Sequence, residues 1–158
     1  MQAAIDSIVP GGSGAAEIDV LRALLMDAPS DDDALAALAR ALEAEGRHAE
    51  AADVISERAT MTQNDERRAS LVLDVARMYA GALEDLPGAL ERYEQVLTIM
   101  PSQDGALTDL VRHAKHPDAF ETAGNLAMEP LELSGRLAEL AEVLEARAEL
   151  SPDPTEKV

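Results

Sequence analysis

The feature that most constrains this chain is the spacing of its apolar residues, which recur at three- and four-residue intervals almost from end to end. Leu35, Leu38, Ala39 and Leu42 form one such stripe, and Val72, Val75, Ala76 and Tyr79 form another. A period near 3.6 residues puts each set on one face of a helix, and each face must be buried against something. Short breakers separate the stripes: Pro29-Ser30, Gly46-Arg47, Gln63-Asn64, Asp85 to Gly88, Pro101-Ser102, Pro117 and Ser134-Gly135. They predict helices at 15–28, 31–45, 48–61, 65–84, 86–100, 103–114, 118–133 and 136–150, with Pro130 kinking the seventh. Connections this short force consecutive helices antiparallel. Ser30-Asp31-Asp32-Asp33 fits a capping box in which the serine oxygen takes an orphan N–H and the acids sit at the positive end of the dipole. A calcium loop would need a glycine and a distal glutamate at fixed spacing, and neither follows.

Composition agrees with an all-α interior. Apolar residues make up 47% of the chain but aromatics only 2%, so the core must be built from Ala, Leu, Val and Met packed closely. Alanine and leucine are strong helix formers, and the β-branched and aromatic runs that mark strands are missing. The 158 residues suffice for one domain or for several short repeats in a row. Acidic residues number 31 against 13 basic, a net charge of -18, and no lysine precedes Lys115. That field repels phosphate backbones and anionic headgroups, so neither nucleic acid nor a membrane surface is expected as a partner. There is no cysteine, which excludes a disulfide-stapled fold, a thiol nucleophile and a thiolate zinc site. Asp6 interrupts the only candidate signal segment, and no apolar run approaches about 20 residues, so a cytoplasmic location is the default expectation.

Self-comparison reveals internal repetition. A shift of 72 residues aligns Pro29-Ser30 with Pro101-Ser102, Asp32 with Asp104, Leu38 with Leu110 and Arg40 with Arg112. A shift of 89 aligns Gly46-Arg47 with Gly135-Arg136, Ala49-Glu50 with Ala138-Glu139, Val54 with Val143 and Arg58-Ala59 with Arg147-Ala148. The difference implies about 17 extra residues near His113 to Leu131, enough for an added helix.

The stretch from Val72 to Pro101 resembles the tetratricopeptide family: Val72, Val75-Ala76 and Tyr79 match its first helix, Ala89, Tyr93 and Val96 its second, and Pro101 its closing proline. Leu35 to Ala59 fits the same frame, and both second helices place a small residue, Ala51 or Ala89, where the family packs its paired helices closely. The match departs from the pattern in one extra residue between Tyr79 and Ala89, and in Leu140 standing where Ala51 and Ala89 stand. Such degenerate copies are typical of long bacterial arrays. The resemblance implies a right-handed α-solenoid of antiparallel helix pairs over 15–151. It is flanked by a flexible segment at 1–14 and the truncated start of a further helix at 152–158, because Pro154 to Val158 aligns with Asp65 to Ala69. On this reading the ends are cuts through a repeat, and the uncovered apolar stripes there are expected to self-associate.

Candidate chemistry is sparse. Gly11-Gly12-Ser13-Gly14 precedes a helix, but no lysine follows to complete a phosphate cradle, so it reads as a linker. His113 and His116 lie three apart near Asp118 and Glu121, but Pro117 breaks the helix between them and the carboxylates, and they read as dipole-facing residues at a helix C-terminus. His48 reads as a packing residue. Carboxylate pairs do acid–base work only in a desolvated cleft, and nothing marks one. The expectation is a non-enzymatic protein without cofactor or metal, a scaffold that holds a partner protein or peptide on its concave face. Alternatives are a spacer or homo-oligomerisation element of a longer solenoid, or a regulatory appendage of an enzyme.

Three arginines mark the expected contact surface. Arg40, Arg77 and Arg112 each fall two residues after a core position, Leu38, Val75 and Leu110, which places them about 140° from the middle of the buried stripe. Lined up across repeats, they would take a partner's carboxylates through forked hydrogen bonds. Their replacement by alanine would then abolish binding without lowering the melting temperature. The competing reading pairs Arg77 with Asp74 and Arg112 with Asp109 on their own helices. The lysine and asparagine clamp that the family uses for a C-terminal carboxylate has no counterpart here.

Overall fold

The computed structural model describes residues 14–152, and among these it contains eight helices and no strand. The helices are α1 (Gly14–Asp27), α2 (Asp32–Ala44), α3 (His48–Met61), α4 (Asp65–Ala80), α5 (Leu86–Ile99), α6 (Asp104–His113), α7 (Phe120–Leu133) and α8 (Leu137–Leu150). All eight expected helices are present, with ends moved by a few residues. The fourth is the largest exception, stopping at Ala80 and not at 84. The predicted linker and truncated helix fall outside the described residues, apart from Gly14, which opens α1, and Pro152.

Local chemistry explains the boundaries. Asn64, Asp85 and Gln103 cap α4, α5 and α6, accepting the backbone N–H of Arg67, Gly88 and Ala106 respectively at 2.8–3.0 Å. The cap of α2 is Asp31, not Ser30: its Oδ1 accepts the Ala34 N–H at 3.1 Å. The serine therefore sits one residue too early, and the helix begins at Asp32 because the first carboxylate of the acidic run takes the orphan donor. Pro130 lies inside α7, which continues through it to Leu133.

The 89-residue repeat appears as a repeated turn. Gly46 and Gly135 adopt φ of 75° and 74°, a left-handed conformation that glycine enters without a Cβ penalty. In both turns the glycine N–H and the following arginine N–H close the preceding helix, on Glu43 and Leu42 in one case and on Glu132 and Leu131 in the other. Arg47 then forks onto Glu50, and Arg136 onto Glu139. The extra residue between Tyr79 and Ala89 falls in the α4–α5 loop, where Glu84 takes φ 50°. The expected added helix is α7, between α6 and α8.

Consecutive helices pack on one another along the chain, and α8 also touches α6. Ala51 and Ala89 are both fully buried, as their place in the repeat requires. Three apolar clusters succeed one another: Ile18, Leu21, Leu38 and Leu42; then Ala52, Ile55, Leu71 and Val75; then a larger one around Tyr93, Leu107, Leu110, Leu131 and Val143. No helix among the described residues is long and apolar enough to cross a membrane.

Candidate functional site

Leu38, Val75 and Leu110 are buried, and Arg40, Arg77 and Arg112 two residues on are exposed, as the helical spacing requires. Two of the three arginines converge on one carboxylate. Arg77 reaches from α4 to Asp109 on α6, its Nε donating to Oδ2 at 2.7 Å and its Nη2 to Oδ1 at 3.5 Å. Arg112 approaches the same carboxylate from its own helix at 3.7 Å. Arg40 forms no ion pair or hydrogen bond among the described residues.

Asp109 is the residue whose role the sequence shows only in part. It pairs with Arg112 three residues on, as the spacing predicts, but it is also 4% exposed and anchors three helices. The third bond comes from α5, where the buried Tyr93 hydroxyl donates to Oδ2 at 2.8 Å. Burial, and then the hydrogen bond to Asp109, push the Tyr93 phenol far above its ordinary pKa, so it stays protonated as the donor. The signal was the short i, i+3 spacing, which shows the Arg112 contact but carries no information about α4 or α5.

This changes the expectation for Arg77. Its half-exposed side chain supplies the closest charged contact of a buried carboxylate, and Arg77→Ala removes that contact. The triple arginine variant should therefore lose stability as well as any binding, contrary to the reading from sequence. Only Arg40 and Arg112, with side chains free of a close bond, allow binding to be tested apart from folding.

His113 lies beside this cluster. Its ring packs against Tyr93 with centroids 5.5 Å apart, and its buried Nε2 has no hydrogen-bond partner among the described residues. Burial, reinforced by the Arg112 charge, lowers its pKa below the ordinary imidazole value. The unfolded chain takes up the proton at about pH 6.5 while the folded one resists it, so this contribution to stability is complete above about pH 6.5 and declines as pH falls through that region. The urea midpoint should fall between pH 7.5 and 5.5, above the range in which the depressed carboxylates Asp32, Glu50 and Glu139 titrate. His113→Phe keeps a ring against Tyr93 and should flatten that dependence, and an equal fall in wild type and variant would refute the assignment.

The sequence's other candidates are accounted for in simple terms. His116 Nδ1 accepts the Asp118 N–H at 3.1 Å and is exposed, so it belongs to the turn after α6. No group of three metal-ligating side chains comes together among the described residues. A groove of about 660 Å³ lies elsewhere: α3 and α5 form its walls, Val72 and Val75 of α4 its floor, and none of the three arginines lines it. Comparison with protein-family models, curated proteins and solved structures finds no match to this chain.

Proposed function

We propose that this chain is a tetratricopeptide-like, right-handed α-solenoid that acts as a scaffold, holding a partner protein or peptide through carboxylates received by Arg40 and Arg112. Arg77, fixed by Asp109, completes the surface. The observation that carries this reading is the state of the guanidinium groups. Arg40 has no partner among the described residues, and Arg112 keeps a side chain 67% exposed with one long contact. Planar forks with unspent donors are suited to bidentate capture of carboxylates. The net charge of -18 opposes an acidic partner at long range, so the segment presents isolated carboxylates and not an acidic run.

The test is affinity recovery from native lysate with the wild type and with the Arg40→Ala, Arg112→Ala double variant, at low and high salt. Recovery of a partner by the wild type and its loss in the double variant, at an unchanged melting temperature, is the expected result. The thermal expectation follows because the Arg112 side chain is 67% exposed and no closer than 3.7 Å to Asp109, which keeps its closer bonds to Arg77 and Tyr93, so the lost contact is worth about 0–1 kcal/mol. Equal recovery by both proteins would end the proposal.

A further inference from the structure

The internal repeat identifies a helix that is covered in one copy and bare in the other. Shifted by 89 residues, α8 corresponds to α3, so that His48, Ala52, Ile55 and Ala59 become Leu137, Ala141, Leu144 and Ala148. In α3 this stripe is closed over: Ala52, Ile55 and Ala59 are buried in one cluster with Leu71 and Val75 of α4. In α8 it lies open. Leu137 is 61% and Leu144 48% exposed, and Ala141 is exposed beside them. The opposite side of α8 carries Val143 and Ala146, both buried, so the helix is seated and its bare stripe is a second face.

Charge repeats along with shape. In the covered copy Asp32, at the start of α2, takes Arg58 of α3 at 2.9 Å and Arg67, from the first turn of α4, at 2.5 Å. Arg58 becomes Arg147 in the uncovered copy, and Arg147 also reaches back to the first turn of the preceding helix, at Glu121. There it donates to the Glu121 carbonyl and to Asn125. The Glu121 carboxylate has no partner among the described residues. The rim is acidic as well, with Glu142, Glu145 and Glu149 beside the stripe and Lys115 paired with Glu142.

We infer that the bare face of α8 is a docking site for an amphipathic helix of a partner protein, one that carries an aliphatic i, i+4, i+7 stripe and an arginine in its first turn to meet Glu121. The covered copy supplies the template: Leu71, Val75 and Met78 with Arg67 four residues ahead of the stripe. This surface is distinct from the arginine surface above, and its fate does not depend on that reading.

The probe is a synthetic peptide copying residues 64–81, with Ala69→Lys and Leu73→Asp joined by a side-chain lactam. The lactam holds the peptide helical and removes the face that α4 buries against α5 and α6, so the peptide cannot exchange into the α4 site. Fluorescence anisotropy with the full chain should show saturable binding. Leu144→Glu in the protein should weaken it about tenfold or more, the scale expected for losing one buried leucine. Arg67→Glu in the peptide should weaken it too, and Glu121→Arg in the protein should restore the affinity of that peptide. Absence of binding, or binding indifferent to Leu144→Glu, overturns the inference. So does sedimentation in which the wild-type chain self-associates through this face and Leu144→Glu abolishes it, since the occupant would then be a second copy.

Discussion

Asp109→Ala should lower the melting temperature by on the order of 5–10 °C, a large loss for a single polar substitution. The carboxylate is almost completely buried and receives Tyr93, Arg77 and Arg112 from three helices. Truncation leaves the buried Tyr93 hydroxyl with no acceptor, and stranding such a group costs about 1–3 kcal/mol. Arg77 and Arg112, with side chains 49% and 67% exposed, recover water and add little to that figure. Asp109→Asn retains an acceptor for Tyr93 and should lose less. A double-mutant cycle with Tyr93→Phe should show coupling, because removing the hydroxyl first removes most of the penalty. Thermal melts that leave Asp109→Ala indistinguishable from wild type would mean that the three helices are held without this carboxylate.

Ala89→Leu should destabilise the fold by about 1–3 kcal/mol through overpacking. The α4–α5 pair makes the most extensive helix contact among the described residues, and in it Ala76, Ala89 and Tyr93 are all fully buried. Three additional carbons at Ala89 have no space to enter, so either the helices separate or Tyr93 leaves its bond with Asp109. The second outcome would couple this substitution to the first. Ala15→Leu, on the exposed face of α1, changes the same chemistry at a site open to water and should be nearly neutral. A circular-dichroism melt in which Ala89→Leu matches Ala15→Leu would count against a close crossing at this position.

The helices were legible because their signals are local. A 3.6-residue apolar period, a proline or glycine at most breaks and a side-chain cap at several starts are properties of ten to fifteen neighbouring residues, and the chain carries the apolar period almost without interruption. The repeated turns at Gly46 and Gly135 were legible for the same reason, since the requirement for a left-handed residue belongs to the turn itself. Even the misplaced cap at Ser30 erred by only one residue, because Ser30 and Asp31 offer the same kind of acceptor and the fold had to choose between them.

What the sequence did not determine is who meets whom across helices. Asp74 and Asp109 are both acids near Arg77, one three residues away on the same helix and the other 32 residues away, and sequence spacing favours the nearer. The fold selects the farther, because packing α4 against α6 brings the buried Asp109 within 2.7 Å of Nε, where the low-dielectric surroundings strengthen the bond. The bare stripe of α8 is of the same kind. Its residues repeat those of α3 in the sequence, but only the tertiary structure decides that α4 covers one stripe and that no described helix covers the other, since burial depends on the neighbour and not on the helix that offers the face.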